Sequence, residues 1–128
     1  MQLAPRYVNV VSEVIELLRG RIARLEAAGV APERIAVDPG IGFGKRSEHN
    51  RALLRELDRF ATLGKAVLVG VSRKRFLGSL SAREIADRDL ATVAASLWAI
   101  AKGALIVRVH NVSAMTDAIL VWQGIKNP

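Results

Sequence analysis

The sequence of 128 residues contains no cysteine. This absence excludes a disulfide framework, a thiol nucleophile and a metal site with cysteine ligands. It also fits a reducing compartment, so the cytoplasm is the predicted location. The two histidines, His49 and His110, are distant in sequence and, with one strand-end Asp38, are insufficient for a metal centre. We therefore expect no metal site built from this chain alone.

Long apolar runs and aromatic clusters are also absent. No apolar stretch approaches the ~20 residues that a membrane span requires. The opening residues Met1 to Arg6 lack the basic start and apolar run of a signal peptide. Aromatic residues make up 5% of the sequence, which is too few for a base-stacking platform. We expect a soluble protein with neither a membrane nor a nucleic acid as its partner.

The net charge of +7 is the one compositional argument for nucleic-acid binding. The charge is dispersed, because arginines alternate with acidic residues at helical spacing, as at Glu16 and Arg19 or Glu56 and Arg59. Such spacing is typical of solvated helix faces with local ion pairs. Nucleic-acid binding remains an alternative that would give a salt-sensitive, sequence-independent affinity.

Apolar periodicity predicts an α-β-α-β-α-β-α order. The predicted helices are residues 8–28, ended by Gly29; a stripe over 53–60, ended by Gly64; a helix opened by Asp87 or Arg88; and a final helix capped by Ser113. The predicted strands are 35–37, 66–71 and 104–109. Such alternation predicts a parallel sheet with helices outside it.

In the third helix the apolar spacing predicts a particular inward face. Its members are Leu90, Val93, Ala94, Leu97, Trp98 and Ala101. Between the second strand and this helix, the sequence predicts a loop that contains glycine and serine. Three strands cannot close an eight-stranded barrel of ~250 residues, so we expect the chain to be part of a larger domain.

Polar residues follow the first predicted strand in the segment DPGIGFGK, residues 38–45. Its alternating glycines let the backbone approach a ligand closely, but their spacing matches neither a Walker loop nor a dinucleotide fingerprint. Alone, Asp38 is more often a turn residue that satisfies nearby amides, and Phe43 is more often a core residue.

The second strand leads into Ser72, Arg73 and Lys74. Two cations directly after a buried strand cannot both be sequestered without anions, although both could simply reach solvent. Ser72 has no histidine close to it in sequence, so we expect a hydrogen-bonding role rather than a nucleophilic one.

The third strand carries Arg108 and His110, which alternate with a period of two and so share one face. A guanidinium beside an imidazole can cradle an anion, especially a phosphate. A buried structural histidine with an arginine paired to a carboxylate is an equal alternative. His49, in a helix-opening segment, is expected at the surface.

Together and in this order, the three segments resemble dihydropteroate synthase. The opening MQ-x-APRY, the approach AGV-x-x-x-RIAVDPG and the entry Gly103-Ala104 add to the resemblance, which spans nearly the whole chain. It implies an α/β fold that is part of a (β/α)8 TIM barrel. Residues 1–128 would be the carboxy-terminal part of that pterin-binding domain, from the helix before the sixth strand to the final helix.

The resemblance also implies a reaction and roles for the residues. The family condenses 6-hydroxymethyl-7,8-dihydropterin diphosphate with p-aminobenzoate, releasing pyrophosphate and forming 7,8-dihydropteroate for folate synthesis. By resemblance, three residues would be catalytic and five more would contact substrate. The first set is Lys74, Arg108 and His110, and the second is Asp38, Phe43, Gly70, Ser72 and Arg73.

Within this set, Asp38 and Lys74 would hold the pterin ring in a pocket shaped by Phe43 and Gly70. Ser72 and Arg73 would approach the aminobenzoate, and the pair Arg108 and His110, listed above, would bind the departing diphosphate. Mg2+ on the diphosphate is implied, with a protein ligand near the first strand of the barrel and outside this chain. A homodimer or a strand-exchanged oligomer is expected.

Two departures from the family pattern affect these expectations. Asn111 stands where the family often has aspartate, which removes a charge beside His110. The first half of the barrel is not in this sequence, so we expect little or no synthase activity from the chain alone. A measurable turnover with both substrates would contradict this.

Two other functions compete with the synthase. A pterin-binding methyltransferase of the corrinoid type uses a related barrel but releases no diphosphate, so binding of pyrophosphate rather than methyltetrahydrofolate would separate the two. A noncatalytic half-barrel that assembles with another chain or with itself would bury its open strand edges.

Overall fold

Five α-helices and three short β-strands lie along residues 6–128, which are the residues described by the computed structural model. The helices α1 to α5 are Val10–Ala27, Ser47–Arg55, Arg75–Ser81, Asp89–Ala101 and Val112–Lys126. The strands β1 to β3 are Ala36–Val37, Ala66–Val69 and Ile106–Val107. Short 3-10 segments lie at Pro32–Arg34, Leu57–Leu63 and Ile85–Asp87. The part of the MQ-x-APRY opening before Arg6 lies outside the described residues.

The three strands form one parallel sheet in the order β1-β2-β3. Ala36 lies opposite Ala66 in the first pair, and Leu68 lies opposite Ile106 in the second. Because all strands run the same way, their carboxyl ends meet at one edge of the sheet. The loops that begin at Asp38, Gly70 and Arg108 therefore share that edge.

The core lies between the sheet and helices α1 and α2. Phe60, Leu53 and Leu57 are fully buried, together with Val69 and Val71 from β2 and the residues after it. The predicted first helix is confirmed: Asn9 caps it, its side chain accepts from Ser12 N at 3.0 Å, and Gly29 follows it with a positive φ.

Helix α3 was not expected, since its residues were predicted to be a loop. Glycine and serine at Gly78 and Ser79 have low helix propensity, which is why the sequence favoured a loop. Burial of Phe76 and Leu77, each 4% exposed, stabilises the helix through tertiary packing instead.

Helix α4 corresponds to the third predicted helix, and the inward face predicted for it is wrong. Leu90 is 82% exposed and Trp98 is 48% exposed, whereas the buried residues are Thr92, Ser96 and Ala99. These small residues allow a close approach of α4 to its neighbours. Apolar residues surround nearly the whole helix, so their spacing could not select the correct face.

The ends of the third strand-helix unit also differ from expectation. Strand β3 is limited to Ile106–Val107, shorter than the predicted 104–109, and β2 ends at Val69 rather than at Val71. The cap of α5 is Asn111 and not Ser113, because the Asn111 Oδ1 accepts from Ala114 N at 3.0 Å.

Among the helices of residues 6–128, none combines the length and hydropathy that a membrane crossing requires.

Two phenylalanines provide a test of where the core lies. Phe60→Ala is expected to lower the free energy of unfolding by about 3–5 kcal/mol, because it empties a fully buried site. Phe43→Ala is the matched control, since Phe43 is 65% exposed and its loss should change stability little. Urea unfolding followed by circular dichroism measures both. Equal effects of the two substitutions would contradict this assignment of the core.

Candidate active site

The loop after β1 is closed by its own side chains. Asp38 Oδ1 accepts from Gly40 N at 2.8 Å, which is the turn role considered for this residue. The Lys45 ammonium donates to the carbonyl oxygens of Gly40 and Phe43, both at 2.9 Å. The loop is thus fixed before any ligand arrives.

A buried asparagine ties this loop to α2. Asn50 is 3% exposed, and its Oδ1 accepts from Gly42 N at 2.8 Å. Sequence reasoning missed this residue. The available signal was a polar side chain at helical spacing from the buried Leu53 and Leu54, because a buried amide requires a hydrogen-bond partner.

Lys74 connects the turn after β2 to the loop after β1. Its ammonium donates to the Ile41 carbonyl and lies 4.5 Å from the centroid of the Phe43 ring. Gly42 permits this approach, because a Cβ there would lie 2.8 Å from Lys74 Cδ, and its φ of +87° disfavours any side chain. Phe43 is exposed, so its interpretation as a core residue is wrong.

Burial lowers the pKa of Lys74 below its ordinary value, since it penalises the charged ammonium. The Asp38 carboxylate opposes this effect, while the positive charges of Arg108 and Lys45 add to it. Burial lowers the pKa of Lys45 for the same reason, again opposed by Asp38. Three cations thus surround one carboxylate, which leaves an excess of positive charge at this edge.

Arg108 reaches across the sheet edge towards Asp38. Its Nη1 lies 3.6 Å from Asp38 Oδ2, and both side chains are partly exposed, so the pair contributes about 0–1 kcal/mol. The guanidinium lies over Gly70, where an added Cβ would come within 2.5 Å of Nη2. The absence of a side chain at Gly70 therefore makes room for the Arg108 guanidinium.

Ser72 and His110 are in direct contact, although 38 positions separate them in sequence. Ser72 Oγ lies 2.7 Å from His110 Nδ1 and also accepts from His110 N at 3.0 Å. Ser72 has no histidine close to it in sequence, but the fold brings His110 into contact with it, and Ser72 forms hydrogen bonds as expected. A concavity of about 220 Å³ opens beside this pair, lined by Gly70, Ser72, Lys74, Arg108, Val109 and His110.

Arg73 is bound by a carboxylate from α4. Its Nε and Nη2 donate to Asp89 Oδ1 and Oδ2 at 2.8 and 3.2 Å, and Asn111 Nδ2 donates to Asp89 Oδ2 at 3.1 Å. The hydrogen bonds from Arg73 and Asn111 lower the pKa of Asp89 to about 2, and the bond to Asp89 raises the pKa of Arg73. The departure at Asn111 thus supplies an amide donor to a carboxylate.

The backbone of Arg73 is held in the left-handed region with a φ of +58°. This conformation costs a non-glycine residue roughly 1–2 kcal/mol. Thr92 Oγ1 accepts from Arg73 N at 2.9 Å, and Arg88 Nη1 donates to Arg73 O at 3.0 Å. Thr92, Arg88 and Asp89 were missed from the sequence, because they precede or begin α4 and carry no motif of their own.

Seven of the eight predicted site residues fall into two contacting groups at one edge, while Arg73 is bound apart from them by Asp89. Asp38, Phe43, Gly70, Lys74 and Arg108 form the first, while Ser72 and His110 form the second.

His49 lies outside this edge cluster. It is half-buried rather than at the surface, with Nδ1 accepting from Arg46 N at 3.0 Å and its ring 5.0 Å from that of Tyr7.

The donor set does not suit a divalent cation. Residues 6–128 contain no group of three or more His, Asp or Glu side chains that could hold a metal ion. Asp38 faces the cations Arg108 and Lys74, and Asp89 is used by Arg73 and Asn111.

A parallel sheet with polar residues at its carboxyl edge is typical of α/β enzymes, among them the α/β barrels. The profile of the family described as pterin binding enzyme matches residues 1–110. The chain belongs to that family.

Curated relatives agree with this assignment. Dihydropteroate synthase of Neisseria meningitidis serogroup C is 46% identical over 98% of this chain and 45% of its own length. The Haemophilus influenzae and Escherichia coli K12 dihydropteroate synthases are each 40% identical. The predicted resemblance is confirmed, and the chain spans about half the length of the curated relatives it matches.

Solved structures show the same fold. Dihydropteroate synthase from Xanthomonas albilineans in complex with 7,8-dihydropteroate superposes with a TM-score of 0.96 at 45% identity, over 100% of this chain and 49% of that one. The Thermus thermophilus enzyme in complex with 6HMPPP gives a TM-score of 0.90 at 47% identity, over 95% and 48%. The predicted fold, part of a TIM barrel, is confirmed.

The carboxylate of Asp89 makes stability depend on pH. Its folded pKa of about 2 lies below the ordinary 3.8, so its stabilising effect is present above pH 3.8 and lost as the pH falls through 2. Asp89→Asn should lower the urea midpoint clearly at a pH of about 5 and much less at about 2. Asp117→Asn, on the exposed side of α5, is the control. An equal effect of Asp89→Asn at both pH values would contradict the ion pair.

Gly70→Ala tests whether the glycine supports Arg108. The new Cβ would displace the guanidinium, a flexible group, so stability should change little while anion affinity falls roughly tenfold. Calorimetric titration with inorganic pyrophosphate measures the affinity. Gly124→Ala, where a Cβ meets nothing within 4 Å, is the matched control. Unchanged affinity in Gly70→Ala would mean that Arg108 does not need this surface.

Proposed function

We propose that the chain supplies the carboxy-terminal half of a dihydropteroate synthase active site, acting in folate biosynthesis. The observation that carries the proposal is the convergence of Lys74 and Arg108 with Asp38 at one sheet edge, beside His110 and an open concavity. This arrangement offers both a partner for a polar heterocycle and a cradle for an anion.

The pterin would bind between Asp38 and Lys74. Asp38 Oδ1 is used by Gly40 N, while Oδ2 faces the site and can accept from an amide-like N–H group of the ring. The Lys74 ammonium has three protons, of which the Ile41 carbonyl takes one, so others remain for ring acceptors. Phe43, exposed beside Lys74, would form a wall of the pocket.

Arg108 and His110 would bind the diphosphate. Arg108 is 57% exposed and offers several N–H donors beside the imidazole of His110, which lines the same concavity. Lys74 adds positive charge at the same wall. Fixed cations of this kind stabilise a leaving anion without reorganisation during the reaction.

The proposed reaction needs no covalent enzyme intermediate. The bond between the pterin methylene carbon and the diphosphate oxygen breaks, and its electron pair leaves with the pyrophosphate. The amine nitrogen of p-aminobenzoate forms the new bond to that carbon and loses one proton. The chain's contribution is to position the pterin and to stabilise the departing anion.

The roles of Ser72 and Arg73 towards p-aminobenzoate stay predictions. Both side chains already have protein partners, namely His110 and Asp89. Asp89 accepts from Nε and Nη2 of Arg73, so only the remaining N–H groups of the guanidinium can donate to a substrate carboxylate. Relatives named for 4-aminobenzoic acid complexes, such as the Xanthomonas albilineans enzyme, support this class of second substrate.

Mg2+ on the diphosphate stays part of the proposal only as an expectation from the family. Its protein ligand is not expected among the described residues. The cytoplasmic location also stays a prediction.

Self-association is a second proposal, supported by exposed apolar residues. Leu90 on α4 and Leu120, Val121 and Ile125 on α5 are each more than 60% exposed. Burying them against a second copy, as a homodimer or a strand-exchanged oligomer, would remove apolar surface from water. A mass in solution that does not rise with concentration would count against it.

Calorimetric titration of the chain tests the synthase proposal. Lys74→Ala and Arg108→Ala should each weaken pyrophosphate binding by about 10- to 100-fold, because each removes charge-assisted hydrogen bonds. Lys126→Ala at the end of α5 and Arg34→Ala before β1 are matched controls that remove the same charges away from the site.

Equal weakening by the controls would mean that net charge alone attracts the anion. Binding of methyltetrahydrofolate without any binding of pyrophosphate would favour the methyltransferase alternative instead.

A further inference from the structure

The contact between Ser72 and His110 restricts where the imidazole carries its proton. Ser72 is 9% exposed, so its hydroxyl needs protein partners. Its oxygen accepts from His110 N at 3.0 Å, which leaves the hydroxyl proton to be donated. Within residues 6–128, the one acceptor found for that proton is His110 Nδ1, at 2.7 Å.

If the ring nitrogen Nδ1 carried the proton, the serine oxygen would accept twice. Its own proton would then have no acceptor among the described residues, and an unsatisfied buried donor costs about 1–3 kcal/mol. The neutral ring with the proton on Nε2 satisfies both the Ser72 hydroxyl and His110 Nδ1. The hydrogen-bond pattern therefore selects one tautomer of the neutral imidazole.

We propose that Ser72 is a positioning residue that sets the tautomer of His110. It keeps the proton on Nε2 and fixes both the ring and the backbone of the histidine. The structure contains no hydrogen bond from Nε2 to any residue in 6–128, and the ring lines the concavity beside Arg108. Nε2–H is thus a donor that remains available to an anion bound in the concavity beside Arg108 and Lys74.

This inference rests on the proposed function only for the identity of the anion. The Ser72 hydroxyl would act on the substrate through His110, because its hydrogen bond to the imidazole makes Nε2 a donor rather than an acceptor. An imidazole with the opposite tautomer would present a lone pair to the diphosphate and repel it.

The tautomer can be measured directly in the ligand-free chain. Two-bond 1H–15N correlation spectra distinguish a protonated ring nitrogen from an unprotonated one at a neutral imidazole. His49 is an internal reference, because its Nδ1 accepts from Arg46 N and so its proton is also expected on Nε2. With two histidines in the sequence, a His49→Gln variant assigns both sets of signals.

We expect His110 of the unchanged chain to carry its proton on Nε2. Ser72→Ala should mix the two tautomers at His110 and leave His49 unchanged, and it should weaken pyrophosphate binding several-fold. Ser72→Thr keeps the hydroxyl and should restore the tautomer. Ser113→Ala, an exposed serine at the start of α5, is the matched control and should change neither histidine.

A proton on Nδ1 in the unchanged chain would overturn the inference, as would an unchanged His110 tautomer in Ser72→Ala. If Ser72→Ala fails to fold, the unchanged chain and Ser72→Thr still decide, since both must show the proton on Nε2. The expected tautomer in a chain that binds no pyrophosphate would support the inference and count against the proposed function.

Discussion

Parallel pairing of β2 with a strand on each side is the constraint on which the rest of the structure depends. It places the turn that follows β2 between the loops that follow β1 and β3. From this central position Lys74 reaches the Ile41 carbonyl on one side, and Ser72 reaches His110 on the other. A sheet in a different order would separate these partners, even with every residue unchanged.

The residue placements that the sequence predicted correctly depend on short-range geometry. Arg108 and His110 are two residues apart and line one concavity, as the sequence predicted, although both lie beyond the end of β3 and strand alternation is not the reason. The three strand-end segments were recognised in the same way, because an apolar run followed by polar residues indicates a strand that ends at a polar edge. The parallel sheet and the element order, apart from α3, followed from these local patterns.

The parts that were missed depend on distant residues. The contact between Ser72 and His110 is fixed by the register of β2 against β3, which no local pattern encodes. The ion pair between Arg73 and Asp89 requires the position of α4, whose buried face was itself predicted wrongly. Because apolar residues surround α4, only the packing of Thr92 and Ser96 against the neighbouring elements decides its orientation.

The closed loop after β1 has a consequence for how a ligand would bind. Lys45 and Asn50 hold its backbone, so the conformational entropy of ordering the loop is lost during folding rather than on binding. A ligand that arrives at Asp38 and Lys74 meets a surface that is already rigid, and more of its contact energy appears as affinity. The loop after β1 is thus a preorganised part of the binding surface.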